Sequence, residues 1–275
     1  MAQSTLAQSE ILLPVTPNTS ALARLRWNVI DTLVLMRRNL THIFRQPQLL
    51  IFSLVQPIIF VLLFAFVFGG AIQTPGSNYI NYLLPGIILQ TVIFAATQTT
   101  TGLTDDLAKG MIDRFRALPM SRSAVLAGRT LSDAARSIIT IVIMLLVGTV
   151  IGFRAEGGIL GAVAGVSMAV LFGYAFTWIA AFIGLLVKTP ETAQVAGFIW
   201  VMPLTFASSV FVPTQTMPDW LRGFAENQPI SVVANTVRAL FSGAPVDIVP
   251  ALLWVVVILA IFIPLSVRQY VRSVN

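Results

Sequence analysis

The chain has no cysteine, a single histidine (His42), and charged side chains at only 10% of its 275 positions. Each shortage removes a class of function. Without cysteine there are neither disulfides nor thiolate metal sites, and one histidine excludes a histidine-rich site, so no metal is expected. A soluble domain carries roughly a quarter of its residues as Asp, Glu, Lys and Arg, because a solvated surface needs them. Most of this surface must therefore meet lipid rather than water. The loop GxxxxGK[ST], whose backbone amides and lysine grip phosphate, is missing, and so is a GxSxG nucleophile elbow. Carboxylates fall outside the long apolar runs, so an acid/base pair within the membrane is not expected. An integral-membrane enzyme is disfavoured on all three grounds.

What the chain has in abundance is apolar surface: 56% hydrophobic residues and a mean hydropathy of +0.86. Six runs reach the length of about 20 residues that a helix needs to cross the hydrocarbon layer. They cover 48–70, 80–103, 134–153, 159–187, 192–212 and 248–267. Pro57, Pro85, Pro203 and Pro264 lie inside them, which membrane helices tolerate because neighbouring helices can satisfy the freed carbonyls. The expected fold is all-α and integral to the membrane, with one six-span domain over 48–267.

The net charge of +6 would also suit nucleic acid. However, the basic residues sit singly at the ends of apolar runs, without a basic-aromatic stripe. They fit anionic lipid headgroups and topology, not nucleic acid. With the N-terminus inside, fourteen of the 17 Lys and Arg fall on cytoplasmic segments, and only Arg154, Arg222 and Arg238 fall outside. That is a strong positive-inside bias, and an even number of spans returns the C-terminus to the cytoplasm.

The segments outside the spans are patterned unevenly. Residues 1–19 lack a basic n-region and contain Pro14 and Pro17; a flexible cytoplasmic tail is expected there, and 268–275 is expected as the cytoplasmic tail at the other end. Over 20–46, Leu22, Leu25, Val29, Leu33, Met36, Leu40 and Ile43 recur at helical spacing. Arg24, Asp31, Arg38 and Arg45 recur every seventh residue on another stripe. This reads as an amphipathic interface helix, capped by Ser20 and broken at Pro47, or as a plain basic flank that sets topology. In the cytoplasmic region 104–133, Leu107, Met111, Phe115 and Leu118 form an apolar face against Lys109, Asp113 and Arg116. Asp105, Lys109 and Asp113 are spaced for pairing one turn apart. Pro119 should stop that helix, and another should start near Ser121 or Ser123 and feed the third span. A pair of interfacial helices that only fixes topology is the other reading. The outer segment 213–246 reads as two short helices, with Trp220 as an interfacial anchor and Gly243 ending the second.

Inside the spans the notable residues are uncharged. The second carries Gln90, Thr91, Thr97, Gln98, Thr99, Thr100 and Thr101. These either line a polar translocation cavity, with Gln90, Thr97 and Gln98 as its candidates, or hydrogen-bond neighbouring helices. Gly157, Gly161, Gly165, Ala169 and Gly173 form a small-residue ridge for close contact, within the chain or across a dimer. Asp133 and Arg136 are expected at a membrane edge, as are Arg154 and Lys188. With no titratable group inside the spans, ion-coupled transport is disfavoured, and the energy for any transport should come from a partner.

The run GMIDRFRALPMSRSAVLAGRTLSDAARSIITIVIMLLVGTVIGFR, residues 110–154, resembles the conserved region of ABC-2 type permeases. It is closest to the daunorubicin-resistance-type drug exporter subfamily. The stretch ENQPISVVANTVRALFSG, residues 226–243, is similar to the same family, as is the order of a basic amphipathic helix, two spans, a cytoplasmic helix and four spans. The resemblance implies a permease subunit that dimerises, with itself or with a related paralogue, and docks on a separate ATPase subunit carrying ATP and Mg. No cofactor would reside on this chain. It further implies that the helix after the second span couples the ATPase to the spans. Mapped here, Lys109, Asp113, Arg114, Phe115, Arg116, Leu118 and Pro119 are the coupling candidates. The implied activity is outward transport of an amphipathic or hydrophobic compound (drug, lipid or polyketide-like) across a bacterial cytoplasmic membrane. A secondary or facilitative multidrug transporter is the alternative.

Overall fold

The computed structural model describes residues 47–69, 78–109 and 122–273. The interface helix over 20–46, with Arg24, Arg38 and Arg45, lies outside the described residues. So do the tail over 1–19 and, within the coupling region, Asp113, Arg114, Phe115, Arg116, Leu118 and Pro119.

Each of the six apolar runs contains a helix, and the described residues contain no strand. Helix α1 is Pro47–Leu63, continued by a π-helical turn over Phe64–Phe68; α2 is Tyr79–Ala108, α3 Arg122–Ile151 and α4 Gly158–Leu186. Helix α5 is Pro190–Phe206, started by Thr189, whose hydroxyl accepts a hydrogen bond from the Thr192 amide, and by Pro190 in the first turn. The short helices α6 (Asp219–Asn227) and α7 (Pro229–Ser242) precede α8 (Val249–Ser273). Among the described residues four helices, α2, α3, α4 and α8, are long and apolar enough to cross a membrane. Helix α5, at 17 residues, is about 25 Å long, short of the ~30 Å hydrocarbon layer.

Helix α3 is described from Arg122 onward, so the restart expected near Ser121 or Ser123 falls at the limit of the described residues. Both short helices expected over 213–246 form, and Gly243 ends α7 in the left-handed conformation at φ 72°. A side chain other than glycine is strained in that region.

Helix α2 is the centre of the bundle, packed on α1, α3, α4, α5 and α7. Leu83, Leu84, Ile87, Ile88, Leu89 and Ile93 are fully buried there. The threonines of α2 divide by role. Thr100 donates to the Ala180 carbonyl at 3.0 Å and Thr104 to that of Gly184 at 2.9 Å, both on α4. For these residues the polarity serves helix-to-helix bonding. The small-residue ridge works within the chain: a Cβ at Gly157 or Gly161 would overlap the Leu240 carbonyl oxygen of α7. The opposite face of α4, with Ile159, Leu160 and Val163, is exposed. So are Val195 and Ile199 of α5 and Leu253 and Val256 of α8. Such an apolar exterior is a liability in water and ordinary against acyl chains. The chain is a multi-pass membrane protein.

Asp133 and Arg136, expected at a membrane edge, fall in the N-terminal half of the apolar helix Ala127–Ile151. Their side chains are only 16% and 21% exposed. The Thr99 hydroxyl donates to Asp133 at 2.7 Å, and Arg136 reaches the Ala95 carbonyl at 3.4 Å, both beyond the midpoint of α2. The helix begins before the apolar run that starts at Ala134, and its Asp133–Arg136 pair is set against the threonine face of α2.

Candidate functional site

Two polar regions are built into this apolar bundle. The first is a cavity of 120 Å³ among α1, α2, α3 and α5. Side chains one turn apart line it: Gln56 and Phe60 from α1, Gln90, Phe94 and Gln98 from α2, and Arg136 and Thr140 from α3. Residues four apart share a helix face, so each helix turns a polar-aromatic or polar stripe toward one space. Phe198 of α5 meets the Phe94 ring edge-on, centroids 5.7 Å apart.

Of the three residues proposed from sequence for a cavity, Gln90 and Gln98 line it. Thr97 is not among its lining residues. Its hydroxyl donates to the Phe94 carbonyl of its own helix at 2.7 Å, and its Cβ would lie 3.2 Å from a methyl placed at Gly197 of α5. Arg136, Gln56 and Thr140 were missed. Their signal was present as the four-residue spacings Gln56–Phe60 and Arg136–Thr140, matching Gln90–Phe94–Gln98.

The second region holds the chain that leaves α5. After Phe206 the backbone over 207–212 is irregular yet buried at Ser208, Ser209, Val210 and Phe211. Buried backbone of this kind is admissible in a membrane protein only when its polar groups are satisfied internally. A stripe on α7 does this. Gln228 donates to the carbonyls of Leu204 (3.0 Å) and Ala207 (3.3 Å), and Ser231 accepts from the Ser209 amide at 2.9 Å. Arg238 finishes the set. Its Nε donates to Tyr82 O at 2.7 Å. Nη1 donates to Asn235 Oδ1 (2.8 Å) and Ser209 Oγ (3.2 Å), and Nη2 to the carbonyls of Ser209 (2.6 Å) and Val210 (2.9 Å). All five guanidinium donors are used. The guanidinium also lies 3.7 Å from the centre of the Tyr82 ring. Tyr82 and Tyr79 donate to the carbonyls of Ser209 (2.7 Å) and Phe211 (3.0 Å). Burial pushes the Arg238 pKa down to about 10, with the two tyrosines acting in the opposite sense, so the cation persists at neutral pH. Gly86 lets α2 approach this knot: a Cβ there would overlap Val210 O and lie 2.9 Å from Arg238 Nη2. A polar recess of 710 Å³, lined by Asn78, Asn81, Arg154, Glu156 and Asn235, opens beside Arg238.

At the opposite end of α2, the base of the coupling region is partly described. Asp105 and Lys109 form the expected pair one turn apart, at 2.6 Å, and this bond raises the Lys109 pKa. Arg129 of α3 is bonded to Asp106 of α2, which ties together the two helices that flank residues 110–121. The described residues contain no cluster of His, Cys, Asp and Glu able to hold a metal ion.

Residues 31–242 match the family described as ABC-2 type transporter. The chain is 35% identical over 241 residues to the daunorubicin resistance ABC transporter permease protein DrrB1 of Streptomyces coeruleorubidus, covering 84% of this chain and 85% of that one. It is 29% identical over 248 residues to the probable doxorubicin resistance ABC transporter permease protein DrrC of Mycobacterium tuberculosis, covering 90% and 88%. The putative transport permease ycf38 of Cyanophora paradoxa is 25% identical over 222 residues, covering 77% and 74%.

Proposed function

Because this chain belongs to the ABC-2 type transporter family, we propose that it is the membrane-spanning subunit of an ATP-driven exporter of an amphipathic or hydrophobic compound. The carrying observation is the family match across 31–242, joined to a polar-aromatic cavity inside an apolar bundle. In this reading α1, α2, α3, α4, α5 and α8 are the six spans. Helix α5 completes its crossing through the satisfied segment over 207–212. Both termini are cytoplasmic, in a bacterial cytoplasmic membrane. Two permease chains, identical or paralogous, pair in lipid. ATP and Mg belong to a separate ATPase subunit, in keeping with the missing GxxxxGK[ST] motif, so this subunit is not itself an enzyme. The segment 110–119 docks on that ATPase, and residues 20–46 lie along the inner surface.

The names of the relatives, daunorubicin and doxorubicin resistance permeases, support drug-like cargo. The test begins with mass spectrometry of proteins that co-purify with the tagged chain in mild detergent. A stoichiometric P-loop protein is the expected partner. ATP-dependent uptake into inverted vesicles should then be lost on replacing Arg114 and Arg116 by Glu, with membrane insertion unchanged. Wild-type uptake by that variant would refute the docking assignment.

One observation favours a second reading. The Asp133–Arg136 pair places ionisable groups within an apolar helix, where ion-coupled transporters keep theirs. Export that collapses with an uncoupler at constant ATP would select a secondary transporter instead.

A further inference from the structure

The cavity among α1, α2, α3 and α5 has polar groups with nothing to bind. Gln90 is 4% exposed and Thr140 9%, and neither side chain makes a hydrogen bond with any described residue. Buried amides and hydroxyls in apolar surroundings are costly when left so. Arg136 carries the same feature further. Only its Nη2 is engaged, at 3.4 Å to Ala95 O and 3.4 Å to Asp133 Oδ1. Its Nε and Nη1 have no partner among the described residues, leaving three of five donors free. Asp133 does not line the cavity, and its Oδ2 is bonded to Thr99 at 2.7 Å. The space thus receives the cation and its donors while the counter-charge is held behind it, against α2.

We propose that this cavity is a subsite for the carboxylate end of an amphipathic acid, with Arg136 as the residue that selects the acid over neutral and cationic analogues. The assignment deepens the exporter reading and rests on it for the direction of transport. A guanidinium presents a planar fork that matches a carboxylate with two parallel bonds, and Gln90 and Thr140 can complete the ligand's shell. At 120 Å³ the cavity is near the size that holds a benzene-sized molecule (~150 Å³). It therefore takes the polar end of a compound with a few carbons, and the apolar body lies along Phe60, Phe94 and Phe198. An ammonium ligand would meet a like charge at Arg136, so the amine-bearing drugs named for the relatives are not the ligand of this subsite.

The experiment measures equilibrium binding to the purified full-length permease in detergent, without ATP. Three fluorescent probes share one body: 11-(dansylamino)undecanoic acid, its methyl ester and the corresponding primary amine. The acid should bind more tightly than the other two. R136M should weaken acid binding by about tenfold or more and leave the ester unchanged, both read well below its melting temperature, which the unpaired Asp133 lowers. R136K should keep part of the preference for the acid. Equal binding of acid and ester to the wild type, or equal weakening of both by R136M, would overturn the proposal, as would no binding of the acid. If R136M does not fold, Q90L replaces it, with the same selective loss for the acid expected and an equal effect on acid and ester refuting. Because binding is read without nucleotide, it is independent of the exporter reading, which fails separately if inverted vesicles show no ATP-dependent uptake of any probe.

Discussion

Arg238 and Arg136 are both arginines inside a helical bundle, and they are held in opposite ways. Arg238 spends all five donors on the protein: three backbone carbonyls, one hydroxyl and one amide oxygen. Arg136 engages one nitrogen, with contacts at 3.4 Å, and turns the rest to an open space. The difference separates structure from function within a single residue type. A saturated guanidinium is a fastener, because it has nothing left to offer a ligand. An unsaturated one beside a cavity is costly to the fold, and its reward must come from what enters.

That contrast can be broken by substitution, beginning with the fastener. Arg238→Ala leaves the carbonyls of Val210 and Tyr82 without their donor and exposes the irregular segment to collapse. A loss of about 3 kcal/mol or more is expected, measured as a lower midpoint for thermal unfolding in detergent. Arg238→Lys keeps the charge with three donors and should fall between. Gly86→Ala attacks the same knot from α2, driving a methyl into Val210 O; about 1–3 kcal/mol is expected in the same assay. Arg136→Met leaves the Asp133 carboxylate without its counter-charge and should cost about 1–3 kcal/mol, less than Arg238→Ala because the pair is long and still partly exposed. Thr104→Val removes one bond to α4 and should cost about 0.6 kcal/mol, at most ~1.7. A destabilisation by R136M as large as that of R238A would erase the distinction between the two residues.

The sequence made some of this arrangement readable and concealed the rest for physical reasons. Helix positions were legible because lipid demands long apolar runs, and the α7 terminus because Gly243 has the residue type its backbone needs. The ion pair Asp105–Lys109 was legible because it is local. The Arg238 network was not, since its partners Tyr82 and Ser209 are 156 and 29 residues away. Counting Arg238 as an outer charge served the topology yet hid its role. The stripe Gln228, Ser231, Asn235 and Arg238 lies within the stretch 226–243 that carries the resemblance, and its chemistry emerges only once the broken backbone after α5 is seen. For the cavity, Gln90 and Gln98 were found and Thr97 was grouped with them by composition. Spacing alone does not separate them, because 97 is two turns from 90 and falls on the same side of the helix; only the packing against α5 shows Thr97 turned toward Gly197.

The bond between Arg129 and Asp106 has a mechanical consequence. It joins α2 and α3 where the chain between them, 110–121, departs and returns, so the two helices form the arms of one gear. If 110–119 docks on an ATPase as proposed, a push there would be divided between both arms before it travels further. Arg136 stands seven residues along α3 from Arg129, two turns or about 10 Å, and Gln98 faces the same cavity from α2. A small rotation at the joined base would then change the spacing between Arg136 and Gln98, and with it the grip of the proposed subsite.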